Sequence, residues 1–201
     1  MAAGETEIAN IALGHIGAPK IQDIEDRENK SAREAKRIFA SSRRAIAAKH
    51  KWNCLTKRAI AAQLTVKPIF GFAEQYQLPT DYITMVELNG LDVEKITDRW
   101  KVEGLLLLSD ADSANIIYVA DVTNVSEWSP GFEQCVALHM AAQLATTIRQ
   151  DGVKAAELES RLEDRALSDA RKTDSNEANL RPIDTTSGSQ YIKSRRRSTN
   201  G

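Results

Sequence analysis

The chain has 201 residues, 42% of them hydrophobic but only 5% aromatic, and a formal net charge of −1. That length holds one good core or two small ones. An apolar fraction rich in alanine suits closely packed helices better than a roomy aromatic pocket, and the balanced charge excludes a globally basic nucleic-acid or membrane-surface binder.

Ile8, Ile11, Ala12 and Ile16 recur at helical spacing until Gly17 and Pro19 stop the run, which predicts a short amphipathic helix over residues 5–16. Its expected partner is a longer helix from Ser31 to Trp52. There Ala35, Ile38, Phe39, Ser42, Ala45, Ile46, Lys49 and Trp52 form one stripe, and Arg33, Lys36, Arg37, Arg43 and Arg44 occupy the opposite side. Ser31 with Glu34 reads as a capping box at its start.

From Leu55 to about Ser129 the pattern changes to short β-like runs punctuated by Pro68, Gly71, Pro79, Asn89-Gly90 and Gly104. Strands are predicted over Leu55–Ala61, Gln75–Leu78, Tyr82–Leu88, Trp100–Val102, Leu105–Ser109 and Asn115–Val119, in a small antiparallel sheet or sandwich. Glu103-Gly104 is the clearest hairpin signal.

Helical spacing returns after Pro130. Phe132, Val136, Met140, Leu144 and Ile148 make a stripe that Cys135, Leu138 and Ala142 widen toward full burial, the signature of a central core helix. Asp151-Gly152 breaks the chain, and Ala155, Leu158, Leu162, Ala166 and Ala170 carry a second helix to about Lys172, with a charged outer face. The expected class is therefore α+β. A helical bundle domain is built from both ends of the chain (1–54 and 130–172), a small antiparallel β domain is inserted at 55–129, and residues 173–201 form an extended C-terminal tail of polar and small residues. Within that tail, Tyr191 and Ile192 followed by Lys193, Arg195, Arg196 and Arg197 read as an apolar anchor beside a charge cluster.

Charge is unevenly spread. Residues 20–58 carry twelve Lys and Arg against five Asp and Glu, whereas residues 59–129 carry four against eleven. The two blocks are able to attract one another within a chain or between copies; two solvated faces would give the same pattern. The N-terminus, with Glu5 and Glu7 and no basic run, does not read as a signal peptide, and no stretch reaches the roughly 18 apolar residues that span a bilayer. Cys54 and Cys135 lack CxxC spacing and read as small apolar residues.

Reactive constellations are missing from the pattern. There is no GxSxG, P-loop, GxGxxG, HExxH or EF-hand loop. His15, His50 and His139 fall in different predicted helices without metal-ligand spacing, and Asp110 and Asp112 sit in an expected hairpin turn where such residues are favoured for backbone reasons. No cofactor is implied. Trp52, Trp100 and Trp128 read as core or interface anchors.

Taken in order, the landmarks resemble the head-to-tail adaptor family of short-tailed bacteriophages, the tail tubular protein A family. Ile8-Ala9-Asn10-Ile11-Ala12-Leu13-Gly14-His15-Ile16-Gly17 is similar to its opening helix. Lys49-His50-Lys51-Trp52-Asn53-Cys54 resembles its His-Pro-Trp-Asn-Phe exit, with Lys51 in place of proline. Phe72-Ala73-Glu74-Gln75-Tyr76-Gln77-Leu78-Pro79-Thr80-Asp81-Tyr82 resembles its most recognisable strand and turn. Trp100-Lys101-Val102-Glu103-Gly104 with Leu107-Leu108-Ser109-Asp110 is similar to its hairpin, and Ile117 to Thr123 with Phe132 to Ala145 completes the series. The resemblance spans about residues 6–172.

It implies a non-enzymatic virion protein at the head-to-tail interface, assembled in the host cytoplasm. Copies of the chain would form a homo-oligomeric, dodecameric ring between the portal protein and the tail nozzle protein, with tail fibres as possible further partners. DNA would pass through the lumen without sequence-specific binding, and no membrane is involved. A closed ring needs two different faces per subunit. Arg37, Arg43 and Arg44 are the candidate subunit-interface residues, and Tyr191, Ile192, Lys193, Arg195, Arg196 and Arg197 the candidate residues for docking on the portal or a neighbour. The rival readings are a small DNA-binding or packaging-associated protein acting through the basic Ser31 to Trp52 helix, and an enzyme whose site the sequence does not reveal.

Overall fold

The computed structural model describes residues 2–94, 96 and 99–177. It has the α+β composition expected. Helix α1 (Ala2–His15) and helix α2 (Lys30–Ala47) precede eight strands, and α3 (Pro130–Leu144), α4 (Gly152–Arg161) and α5 (Leu167–Glu177) follow them. The strands are β1 (Thr56–Ile60), β2 (Ala62–Gln63), β3 (Glu74–Gln77), β4 (Tyr82–Leu88), β5 (Leu91–Asp92), β6 (Trp100–Glu103), β7 (Leu106–Ser109) and β8 (Asn115–Ala120). None of the described helices is long and apolar enough to cross a membrane.

Helix α3 is the hub. Phe132, Cys135, Val136, Ala137, Leu138, Met140, Ala141, Ala142 and Leu144 are all buried along it, and α1, α2, α4 and α5 all pack against it. Its start follows the rules for a helix N-terminus: the Ser129 hydroxyl accepts from the Phe132 N–H, and Pro130 fills the first turn, where a missing N–H costs nothing. Helix α1 turns Ile8, Ala9, Ala12 and Leu13 inward, with Ile16 buried just past its end, while Ile11, expected on that stripe, faces out. The segment after α1 is fastened back onto it. The Asn10 amide exchanges two hydrogen bonds with the backbone of Ile21, at 2.8 and 3.0 Å, and the Ile24 N–H donates to the Thr6 hydroxyl at 3.1 Å.

Two expectations for α2 are corrected. Asn29, not Ser31, caps the helix, its side-chain oxygen accepting from the Ser31 and Ala32 N–H groups, while Glu34 pairs with Arg37. The helix also stops at Ala47, not at Trp52. Trp52 is nonetheless fully buried, because the chain doubles back and its indole N–H donates at 3.0 Å to the Ile46 carbonyl, which also accepts from the Lys49 N–H at the helix end. Trp52 and Trp128 both pack edge-on against Phe132, at 5.1 and 4.9 Å, and Phe39 stacks on Trp128 at 6.1 Å. Phe39, Trp52, Trp128 and Phe132 thus form one aromatic cluster where α2 and α3 meet.

The strands form two antiparallel four-stranded sheets, ordered β1-β8-β4-β5 and β2-β3-β7-β6. The chain passes from the first sheet to the second at buried Ala61, whose N–H donates to the Ala114 carbonyl at 2.9 Å. Asn89 and Gly90, with φ of 53° and 81°, make the β4–β5 turn, the paired positive-φ geometry that Asn-Gly favours. Gly104, with φ of 62°, turns β6 into β7 as expected. A single buried apolar cluster runs from α1 through the strands to α5.

Helix α2 is tied to the sheet by charge. Arg43 is 7% exposed and makes two hydrogen bonds to Asp121, at 2.7 and 3.0 Å. The Asp121 N–H donates to the Asp81 carbonyl at 2.7 Å. The Asp81 carboxylate accepts from Lys57 on β1 at 2.8 Å and from the Tyr118 hydroxyl on β8 at 3.0 Å. Partial burial alone would raise the Asp81 carboxyl, but the hydrogen bonds from Lys57 and Tyr118 and the Lys57 charge outweigh it and hold it below its ordinary value. Burial, with Asp81 beside it, pushes the Tyr118 phenol up to about 12.

After α3 the helix widens into a π-helical turn over Ala145–Arg149 and ends at Gln150, which has a left-handed φ of 56°. Asp151 caps α4 through the Lys154 N–H. A second π-helical turn, Leu162–Ala166, joins α4 to α5. Helix α5 continues five residues past the expected end at Lys172. Asp174 is buried at 6%, accepts from the Asn53 N–H and lies 3.0 Å from His50 Nε2, which binds that last turn to the exit from α2.

Two outcomes follow. Removing one partner of a buried, hydrogen-bonded pair strands the other charge, so Asp121→Asn should lower stability by about 3 kcal/mol in urea titration. Arg43→Met should cost less, because Asp121 is less buried and keeps Arg44 within 3.9 Å. For Asp81, a carboxyl held below its unfolded value contributes stability that is present above that value and lost as the pH falls through the folded one. Asp81→Asn should therefore flatten the decline in thermal stability below about pH 4.

Candidate functional site

The loop between β2 and β3 runs Leu64-Thr65-Val66-Lys67-Pro68-Ile69-Phe70-Gly71-Phe72-Ala73. Its apolar residues alternate neither with the strand period nor with the helix period, and Pro68 and Gly71 interrupt both, so the segment cannot bury its side chains by joining a regular element. Ile69 is 97% exposed, Phe70 86% and Val66 72%. Ile60 and Val153 are exposed singly elsewhere, at 81% and 83%, but among the described residues only this loop brings several such side chains into one short stretch.

The loop is held at its base. The Leu64 N–H donates to the Gln75 carbonyl at 2.9 Å, and the Gln75 side-chain amide donates to the Val66 carbonyl. Lys67 pairs with Glu74 at 2.5 Å, a contact that raises the Lys67 ammonium and lowers the Glu74 carboxyl through their mutual hydrogen bond and charge. On the far side, Arg99 donates to the Gly71 carbonyl at 2.6 Å and sits 5.1 Å over the Phe72 ring. The Ala73 N–H donates to Asp110. Beneath the loop lies a groove of about 490 Å³ whose floor includes Leu106 and Leu108 of β7. An apolar tip held in one shape loses little conformational freedom when a partner covers it, which favours association.

The structure separates the three arginines expected to act together. Arg37 is exposed and paired with Glu34 on its own helix, and Arg44 is exposed at the edge of the Asp121 pair. Arg43 is inside the chain, its guanidinium already neutralised. The attraction between the basic and acidic blocks is met within the chain at three places: Arg43 with Asp121, Lys57 with Asp81, and Lys51 with Asp92. Tyr191, Ile192, Lys193, Arg195, Arg196 and Arg197 lie outside the described residues.

The other residues singled out from sequence have local work. Trp52 and Trp128 are in the core and Trp100 is half-buried on β6. Burial pushes the Cys135 thiol up to about 11, so it is an unreactive packing residue, while half-buried Cys54 contacts the Ser129 hydroxyl at 3.5 Å. Burial, and then the charge of Lys49, lowers the His139 pKa. Among the described residues, no group of three or more His, Cys, Asp or Glu is placed to hold a metal ion. The chain matches no protein-family model and no curated protein.

Pro68 and Gly71 mark the 64–73 loop in sequence only as a connection. The signal was available in Val66, Ile69, Phe70 and Phe72, which crowd four large apolar residues into a turn-rich stretch. Because Ile69 and Phe70 touch so little of their own chain, Ile69→Ser with Phe70→Ser should change the unfolding free energy by no more than about 0.5 kcal/mol. The same pair of changes should reduce binding of a hydrophobic dye to the native protein.

Proposed function

We propose that this chain is the subunit of the head-to-tail adaptor ring of a short-tailed bacteriophage, a non-catalytic structural protein of the virion. It joins the portal to the tail nozzle and lines part of the DNA channel. In this reading the two ends of the chain make a helical bundle domain, the strands an inserted β domain, and the C-terminal residues an extended docking tail. The observation that carries it is the loop at 64–73, which keeps Val66, Ile69 and Phe70 in water on a braced base. Burying an Ile or Phe side chain contributes roughly 1.5–3 kcal/mol, so a contact at this tip is worth having only if another protein surface covers it.

The order of sequence landmarks supports the same reading, and the fold gives several of them a structural task. Tyr76 and Leu78 are buried, and Asp81 joins β1, β8 and the α2 junction. The DNA-binding alternative would use the basic side of α2. That side is largely neutralised at home: Lys36 pairs with Glu5 and Glu25, Arg37 with Glu34 and Arg43 with Asp121. A helix so compensated has little charge left with which to displace counterions from DNA.

Sedimentation of the purified chain, alone and mixed with the portal ring of its own phage, tests the reading. The full chain should sediment as a monomer alone and shift to a ring-sized complex with the portal. A version ending at Glu177, which retains the Asp174 anchor, and the Ile69→Ser/Phe70→Ser variant should each lose that shift. A full chain that stays monomeric with portal present overturns the adaptor assignment.

A further inference from the structure

A second surface feature lies on the helices and is of a different chemical kind. A cleft of about 660 Å³ opens between α1, α3 and the α4–α5 segment. Leu138, Ala166 and Ala170 give it an apolar floor, and its polar lining comes from separate elements: His15 from α1, Gln134 from α3, Arg161 from the end of α4, Arg165 from within the second π-helical turn, and Asp169 and Thr173 from α5. Single π turns inside helices are frequent at functional sites. Here the turn carries Arg165, and the residue just before the turn, Arg161, reaches the same cavity.

These cations are under-neutralised. Arg161 takes part in no ion pair among the described residues, and the acidic contact of Arg165 is Asp169, at 4.0 Å, a carboxylate that also reaches Lys172 at 3.5 Å. His15 registers the resulting field. Burial first, then the charges of Arg161 and Lys154, lower its pKa, so the imidazole is kept neutral among cations. Its Nε2 lies 3.2 Å from the Gln134 side-chain nitrogen.

We propose that this cleft binds the carboxylate of an acidic protein segment. Two guanidinium forks suit a carboxylate in bidentate geometry. The Gln134 amide adds a donor, and the apolar floor accepts the methylene groups that carry an Asp or Glu head. A polyanion fits poorly. The same helical segment exposes Glu157, Glu159, Glu163 and Asp164 beside the arginines, and a nucleic-acid backbone would bring successive phosphates against them. The inference stands apart from the adaptor assignment, because it concerns what one chain recognises and not what it builds.

The test is an NMR titration of the full chain with the peptide acetyl-Leu-Glu-Leu-Glu-amide, with inorganic phosphate and a short DNA duplex in parallel. The peptide should shift the His15 ring signals and raise the His15 pKa, while His139, half-buried and outside the cleft lining, stays unmoved. Arg161→Gln with Arg165→Gln, both exposed positions, should weaken peptide binding by about tenfold or more. Arg161→Lys with Arg165→Lys should retain part of it. The proposal is overturned if the peptide does not bind, if the glutamine variant binds it as well as the parent chain, or if phosphate or DNA competes at equal concentration. None of those results bears on ring formation with the portal, which is read by sedimentation.

Discussion

A guanidinium placed at the junction between a helix and a sheet has to be neutralised where it stands, and much of this structure is arranged around doing that for Arg43. Its partner Asp121 comes one residue after β8 ends, so pairing fixes α2 against the strand that lies between β1 and β4. Asp121 is in turn positioned by the Asp81 carbonyl, and the Asp81 side chain gathers Lys57 and Tyr118. One chain of contacts therefore sets helix, edge strand and central strand in register. An isolated buried pair is weak evidence for stability, since desolvation offsets much of the Coulomb gain. Its value here is in specificity, because a docking of α2 that buried Arg43 away from Asp121 would leave its charge unpaired.

What could be read from sequence follows from which forces are local. Strand β4 was legible from Tyr82 to Leu88, and the hairpins at Asn89-Gly90 and Gly104 from their residues, because turn chemistry and alternation act over a few positions. The two-residue strands β2 and β5 were not, since so short a strand has no period and exists only through its neighbour's hydrogen bonds. Helix α2 ends before the expected Trp52 for a tertiary reason: Trp52 sits on the helical stripe by count, yet reaches the core by turning back onto the Ile46 carbonyl. Ser31 looked like the cap because its spacing to Glu34 fits a box, but Asn29 lies two residues earlier with the better acceptor geometry. The continuation of α5 depends on Asp174 meeting His50 and Asn53, residues about 120 positions away, which no local pattern reveals.

The candidate surfaces divide along the same line. Charge asymmetry between residues 20–58 and 59–129 was plain in sequence, but whether it serves folding or assembly depends on which side chains meet. The structure uses Arg43, Lys57 and Lys51 within the chain, leaving Arg37 and Arg44 on the outside. The apolar loop reverses the situation. Its residues were visible, and only the fold shows that the sheet leaves them in water while bracing the loop on both flanks through Glu74, Gln75 and Arg99.

The chain pairs its buried Arg43 internally and leaves an apolar loop tip in solvent, so its two candidate surfaces differ in physical character. Contact through Ile69 and Phe70 draws on removal of apolar surface from water, which ions do not screen and which strengthens with excluded salts. Recognition of a carboxylate by Arg161 and Arg165 is an exposed electrostatic contact, weakened as the screening length shrinks from about 10 Å at 0.1 M salt to about 3 Å at 1 M. The two surfaces thus respond to ionic strength in opposite directions. Charge contributes most to the speed and orientation of encounter, whereas apolar burial governs how long a complex lasts once the tip is covered. On the adaptor reading, charge would select the neighbour and the apolar tip would hold it by a contact that salt does not loosen.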